Sequence, residues 1–531
     1  MPDRDRSVEN SVENSVENSA ENVASTPAVT SPGEGDLRYG SARGRWVLLA
    51  TVLGSSMAAI DATVVGIALP AIGHDFHATL STLQWVVTAY ALTLAGLLLF
   101  SGALGDRYGR KRVFQAGVIW FALASLICGI APDAPVLIGA RAVQGIGAAL
   151  LTPGSLAILQ ASFREQDRSK AIGAWTGFAG IGTAIGPFLG GWLIAVVSWR
   201  LIFFINLPLA ALVLAVSLRH VPESRDPAET GRLDFFGSVL VTLGLIGLTY
   251  GLITGPSAGW NSPAALIMLL LGVALLIGFV FRERRASAPL LPLGLFSSTQ
   301  FSAANVVTFA VYAALGGVLF LLPIELEQVS GYSALEAGVS LLPVTFIMLL
   351  LSARSGALAA RIGPRLQMTV GPVIIGIGLL LFARVGSSGD YVTDVLPAVL
   401  VFGFGLAINV APLTSTVLAA APAERAGIAS AVNNDVARAA GLLAVAILPA
   451  AAGLSGTSYL HPLEFSAGFH RASFISAGLC VLAGVLAAVT IRNPGRAAKA
   501  EGAEEAAQFH CGLDGPPQPI VGAPAQGATA Q

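Results

Sequence analysis

Ser101-Gly-Ala-Leu-Gly-Asp106-Arg107-Tyr-Gly109-Arg110-Lys111 is answered later in the chain by Ser355-Gly-Ala-Leu-Ala-Ala360-Arg361-Ile-Gly363-Pro-Arg365. Six of the eleven positions are identical, at an offset of 254. Each copy closes an apolar run, the second and the tenth along the chain. A second echo agrees with the first: Gly145 and Gly147 in the fourth run correspond to Gly403 and Gly405 in the twelfth. Runs 1–6 therefore match runs 9–14, and runs 7–8 are an insert. An internal repeat at this scale fixes architecture before any single residue does. Two six-helix halves in parallel repeat are the arrangement of a membrane transporter with its site between the halves.

The runs support that reading. Fourteen are expected, at 46–72, 82–104, 113–131, 135–160, 170–197, 201–218, 235–255, 262–281, 301–324, 335–358, 368–386, 393–418, 427–453 and 472–491. Each is near the roughly 20 residues a helix needs to cross the hydrocarbon core. Barrel strands would be half as long and would alternate apolar with polar residues. Of the 531 residues 54% are apolar and 11% charged, against about 25% charged in a soluble domain. A soluble enzyme, a nucleic-acid binder and a secreted disulfide scaffold are disfavoured together. The net charge of −1 names no partner, and three cysteines make no disulfide framework. The fold class is an all-α membrane protein.

The ends are different material. Residues 1–44 carry the SVENSVENSVENSAEN repeat followed by Pro, Gly and Ser. They lack the apolar content to form a core and are expected to be a disordered cytoplasmic tail. No signal peptide precedes the first run. Residues 492–531, rich in Ala, Gly, Pro and Gln, are expected to form a second cytoplasmic tail. Between the tails lie a half at 45–218, the insert with its loops at 219–299, and a half at 300–491. With the N-terminus inside, 24 of the 30 Lys and Arg residues fall on the cytoplasmic side. Arg200, Arg384 and Arg471 fall outside, and Arg141, Arg354 and Arg438 within runs. That asymmetry places both termini in the cytoplasm of a multi-pass plasma-membrane protein.

Four motifs resemble those of the major facilitator superfamily, and among its members the fourteen-span drug:proton antiporters. Gly102 to Lys111, with Asp106, Arg107, Gly109 and Arg110, resembles the family's loop motif between helices 2 and 3. Leu137 to Gly147, with Arg141, Gln144 and Gly145, resembles its helix-4 motif. Gly182-Thr-Ala-Ile-Gly186-Pro187-Phe-Leu-Gly190-Gly191 resembles its helix-5 antiporter motif. Ile60-Asp61-Ala-Thr63-Val-Val-Gly66-Ile-Ala-Leu69-Pro70 resembles the helix-1 motif, with Gly66 where Asn is usual. The resemblance covers residues ~45 to ~491. It implies alternating access, exchange rather than uniport through the helix-5 element, and small organic molecules as cargo.

The residues can be weighed on their own physics. Asp61 lies some fifteen residues into the first run, roughly 22 Å from its inner end. A charge at such depth costs about 3 kcal/mol on insertion scales, so it should face the interior and find partners. Desolvation favours the neutral form of a carboxyl there, which suits a proton carrier. The alternative is a fixed polar contact that packs helices. Arg141, five residues into the fourth run, would tune that carboxyl or snorkel to the surface. Asp106 is the one acid among Arg107, Arg110 and Lys111, and the second copy has Ala360 in its place. An acid in one copy only suggests a latch between the halves; the alternative is a purely topological signal. Gly173, Gly177, Gly182, Gly186 and Gly190 form a smooth stripe for close helix packing, beside a bend at Pro187.

Trp85, Tyr90, Gln144, Trp175, Phe178, Asn433 and Asn434 are candidates for lining a substrate pocket, though the aromatic residues serve packing equally well. Asp435 and Arg438, three apart on one helical face, can pair. His74 and His77 beside Asp75 have a loose metal-like spacing without further ligands, so no metal is expected. No nucleotide-binding loop is present, and no cofactor is expected beyond the proton gradient. The expected function is a proton-coupled exporter of small apolar or amphipathic compounds, monomeric, embedded in the bilayer and binding no nucleic acid. A proton symporter importing a polar metabolite is the alternative on the same fold. A membrane-bound enzyme is disfavoured, since no catalytic dyad, acidic metal cluster or attached soluble domain is present.

Overall fold

The computed structural model describes residues 35, 37–225, 234–286, 289–387, 389–422 and 425–493. The four-residue repeat, residues 226–233 and the chain from 494 onward lie outside the described residues. Among the described residues fourteen long helical segments run in order. The first six are α1 (Ala42–Asp75), α2 (Leu80–Tyr108), α3 (Arg110–Gly129), α4 (Ala134–Ser162), α5 (Glu165–Val196) and α6 (Leu201–His220). Then come α7 (Phe235–Ala258) and α8 (Pro263–Glu283). The last six are α9 (Thr299–Ile324), α10 (Ala334–Ile362), α11 (Arg365–Phe382), α12 (Leu396–Ala419), α13 (Ala426–Ala451) and α14 (Pro462–Thr490). Among the described residues thirteen are long and apolar enough to cross a membrane, and the 32-residue α5 carries no charged residue from Ala171 to Val196.

The helices start where the sequence supplies caps. Ser41, Thr79, Asp133, Asp234 and Ser298 each accept a hydrogen bond from a first-turn N–H, satisfying donors that no preceding turn reaches. Residues 37–44, placed with the tail on composition, are ordered. The Leu37 N–H donates to the Ser162 carbonyl, the Arg164 N–H to the Leu37 carbonyl, and the Tyr39 N–H to Asp167. This short pairing ties the start of α1 to the α4–α5 turn.

The repeat read in the sequence recurs in three dimensions. Gly109 and Gly363, equivalent across the halves, both have positive φ, +112° and +89°, where a side chain would be strained. At both, a Cβ would strike the segment that follows the sixth helix of its own half, at Glu223 or Asn493. Two residues on, Lys111 Nζ donates to the Leu218 carbonyl and Arg365 Nε to the Ala488 carbonyl. Each half thus uses a cation to cap the C-terminal turn of its sixth helix. Deeper in, Gly147 of α4 leaves no room for a Cβ against Phe121 of α3, and Gly405 of α12 none against Ile375 of α11. Phe121 and Ile375 are themselves equivalent in the repeat.

The insert packs α7 tightly on α8, with Gly247 and Gly272 in backbone contact. It lies over one seam between the halves: Gly96 of α2 meets Thr242, and Leu245 clusters with Leu92 of α2 and Leu442 of α13. Asp234, almost fully buried, receives Arg282 at 2.8 Å and clamps the insert's ends. The outer face of α8 is open, with Ile267 and Leu270 each 60% exposed, as a lipid-facing surface requires.

Hydrogen bonds join the halves at the end poor in Lys and Arg. Tyr459 donates to the Ala78 carbonyl (2.7 Å), Leu80 N–H to the Gly456 carbonyl (2.8 Å), and Gln84 to the Val445 carbonyl (2.6 Å). On the opposite seam Gly191 of α5 abuts Ala334 and Leu335, and Gly338 abuts the Pro187 carbonyl. Beyond these first turns α10 stands away from α5 toward the basic end. Phe178 of α5 and Phe346 and Leu350 of α10 are exposed there. The molecule is closed at its Arg-poor end and splayed at its basic end.

Candidate functional site

Asp61 sits in the middle of α1, 2% exposed, and α3, α4 and α6 supply what surrounds it. Arg141 Nη1 of α4 donates to Asp61 Oδ2 in a buried ion pair. Gln144 Nε2, one turn along α4, donates to Oδ1 at 2.8 Å, and Asn206 Nδ2 of α6 to the same oxygen at 3.2 Å. Ser125 of α3 ties both amides together at 2.8 and 3.2 Å. Arg141 also donates to Gln144 Oε1 and to the Val86 carbonyl, and its guanidinium lies 4.3 Å from the centre of the Tyr90 ring.

The spacing explains the convergence. Arg141 and Gln144 are three apart on one face of α4. Gly145, beside them, would clash with the Tyr90 carbonyl and Thr93 if it carried a Cβ, so α2 approaches closely enough to seat the Tyr90 ring on the guanidinium. An isolated buried charge costs several kcal/mol. Here three side-chain donors meet both oxygens, so this arrangement suits an ionised carboxylate.

The other sequence-derived residues are placed as follows. Asp106 pairs with Arg110 at 2.7 Å within its own half. It is not the only acid of that cluster. Glu223, after α6, lies 3.6 Å from Arg112 and accepts the Lys111 N–H. Gly102 lies beside Pro153 of α4. On α5, Gly182, Gly186 and Gly190 lie against Ser56, Thr63 and Val64 of α1, with no room for side chains, and Gly191 and Pro187 face α10 across the seam. Gly173 and Gly177 meet nothing within reach, so the packed part of the stripe begins at Gly182.

The pocket candidates do not converge. Trp85 faces the insert, 6.1 Å from the Tyr250 ring. Tyr90 and Gln144 belong to the Asp61 network. Trp175 donates to Ser55 of α1 (3.1 Å), and Phe178 is 53% exposed. Asn433 donates to Asn305 and Thr308 of α9, while Asn434 is exposed. The expected Asp435–Arg438 ion pair is not made: Asp435 Oδ1 is buried without a hydrogen-bond partner. Asp75 is taken up by Arg200 and Trp199 rather than by its histidine neighbours. Sequence reasoning missed Asn206, Ser125, Asn305 and Glu223. A lone Asn in the apolar start of the sixth run was a usable signal for Asn206; Ser125 had none.

Two repeated six-helix bundles, a buried interhelical charge network and a seam closed at one end define a membrane transporter of the rocking kind. A family model for the major facilitator superfamily matches residues 51–446, and the chain belongs to that superfamily. It is 38% identical over 390 residues to the multidrug resistance protein Stp of Mycobacterium tuberculosis, covering 73% of this chain and 72% of that one. It is 36% identical over 409 residues to the tetracenomycin C resistance and export protein of Streptomyces glaucescens, covering 76% of each. To the puromycin resistance protein pur8 of Streptomyces alboniger it is 34% identical over 473 residues, covering 86% of this chain and 93% of that one. A bacterial homologue of the lysosomal transporter Spinster, inward-facing and unoccupied, shares the fold with a TM-score of 0.59 at 16% identity, over 86% of this chain and all of that one. A peptide transporter bound to sulfate does so with a TM-score of 0.61 at 15% identity, over 85% and 94%.

Proposed function

We propose that this chain exports small apolar or amphipathic compounds, drugs and antibiotics among them, across the plasma membrane in exchange for protons. The carrying observation is the buried Asp61–Arg141–Gln144–Asn206 network. The resistance and export proteins to which the chain is similar support the direction of transport. The basic end faces the cytoplasm, as do both termini, and the transporter works as a monomer. The splayed state is then open inward. In it Asp61 holds the partners of a carboxylate that has already given up its proton, which is the state an exporter needs when it takes cargo from inside. After outward rocking an external proton neutralises Asp61, loosens Arg141 and resets the cycle. Asp106 and Arg110, bonded to each other here, are offered to the other half when the basic end closes.

Export against a gradient in everted vesicles, driven by an imposed pH difference, tests both roles. Asp61→Asn abolishes uphill export while the protein stays folded and still binds substrate. Asp106→Asn leaves coupling in place but slows turnover. Wild-type uphill pumping by Asp61→Asn removes the proton from this site, and unchanged turnover by Asp106→Asn leaves that cluster a topological signal.

A further inference from the structure

The C-terminal half buries an acid for which the network around Asp61 has no use. α9 ends in a π-helical turn, Glu325–Val329. Glu325 is 0% exposed, and neither carboxylate oxygen has a hydrogen-bond partner. A π turn displaces one residue from the regular ladder and recurs at functional sites. An ionised carboxylate buried without a donor costs several kcal/mol.

The surroundings give that proton a route. Ser466 of α14 stands beside the carboxyl without closing a hydrogen bond to it. His470, one turn along α14, has Nε2 3.4 Å from Ser466 Oγ and 3.1 Å from the Val385 carbonyl. Both side chains are half-buried, and their neighbours Glu464, Ala467 and Arg471 are exposed. The groups on the elements packed against the π turn are few. On α14 they are His470 and the exposed Glu464 and Arg471. On α10 Glu336 is bound to Ser333 in a capping box. In the turn itself there is Glu327, half-buried, whose Oε1 is likewise buried without a hydrogen-bond partner, and the last two turns of α9 bring none. Among the described residues no ion pair reaches Glu325.

The turn also leads directly into the closed seam. Five residues after Val329 begins α10, whose first residues Ala334 and Leu335 press on Gly191 of the other half.

We propose that Glu325 is a second proton-binding site, filled from the Arg-poor face through His470 and Ser466, and that its protonation is required for that face to close. Hydration in the open state lets Glu325 ionise; burial on closure demands the neutral acid. By linkage, closure takes up one proton, and protons stabilise the closed seam. The proton returns to the face it came from, so Glu325 sets when the seam closes, whereas Asp61 carries the transported charge. The inference rests on the proton-coupled reading for its place in the cycle only, and a conformational readout without substrate keeps the two separable.

The test is the distance between spin labels at His74 and Leu460, two exposed positions flanking the Ala78–Tyr459 bond, in a protein with Cys511 replaced by Ser. Cys128 and Cys480 are buried and escape labelling. In the wild type the closed-to-open ratio falls about tenfold per pH unit once the pH exceeds the midpoint of the transition, as for one linked proton. Glu325→Gln, which matches the neutral acid in shape, stays closed at all pH values. Glu327→Gln keeps a pH-dependent profile, because Glu325 must still take up its proton for the seam to close, and His470→Gln slows the response to a pH jump without moving its end point. Glu325→Gln with a wild-type pH profile, or a wild-type seam indifferent to pH, overturns the proposal. Loss of uphill export in Asp61→Asn with this profile intact would leave it standing.

Discussion

Asp61 and Arg141 are not equivalent halves of their ion pair. A carboxylate deprived of its cation can take up a proton and become neutral; a guanidinium cannot give one up. Removing the acid therefore strands a charge at a site 1% exposed, while removing the cation leaves a polar but neutral cluster with Gln144, Asn206 and Ser125. Breaking a buried pair to leave a charge costs about 3–5 kcal/mol. Leaving a neutral buried polar group costs about 1–3 kcal/mol. Asp61→Asn, which keeps one acceptor for Arg141, is thus expected to melt below Arg141→Met in detergent. The double variant should melt above Asp61→Asn alone, because the stranded cation is gone. A double variant less stable than both would mean that the pair organises the half in a way pairwise electrostatics does not describe. The depth of Asp61 and the face of Arg141 were legible in the sequence, since both are intramembrane charges on helices. Asn206 and Ser125 were not, because a neutral polar residue costs little enough in an apolar run to carry no signal until the helices that bring it to Asp61 are placed.

The helix-5 motif reads as one stripe, but α5 uses it for two separate contacts. Gly182, Gly186 and Gly190 face α1 inside their own bundle, and Gly191 faces α10 across the moving seam. A methyl group added at Gly186 meets Thr63, whose hydroxyl is already turned to the Ile60 and Ala59 carbonyls. Overpacking of that sort typically costs about 1–3 kcal/mol. At Gly191 the same methyl meets the Ala334 carbonyl, and the halves relieve the clash by parting. Gly186→Ala should lower the melting temperature with little change in the conformational equilibrium. Gly191→Ala should keep the melting temperature and lengthen the His74–Leu460 distance. Equal effects of both on either readout would collapse the two contacts into one. Glycine spacing announces a smooth helix face; which neighbour comes to it depends on the crossing of helices far apart in sequence. For the same reason Trp85 reads from sequence as a pocket candidate and a packing residue alike: nothing local says that α7 covers that side of α2.

The order of the bundles followed from a repeat, and the repeat was legible because its residues do the same mechanical task twice. Gly109 and Gly363 turn the chain, and Lys111 and Arg365 reach back to the end of the sixth helix in each half. A cation needed for that cap also marks the membrane face on which it lies, so the structural requirement and the charge asymmetry reinforce each other. The ion pairs Asp106–Arg110, Arg112–Glu223, Lys170–Asp167 and Arg282–Asp234 lie at the basic end. The opposite end holds Arg200 with Asp75, and Arg384 and Arg471. Positive charge is retained on the cytoplasmic side during insertion, so the basic end should be cytoplasmic and α7–α8 should cross the membrane out and back. Fusions of a reporter that fluoresces only in the cytoplasm should be bright after Lys111, Lys170 and Arg285, and dark in the turn at 259–262 between α7 and α8. A bright fusion in that turn would take the insert out of the membrane. It would also leave Leu92 and Leu442, which meet on Leu245 of α7, exposed to lipid along the seam that α7 covers.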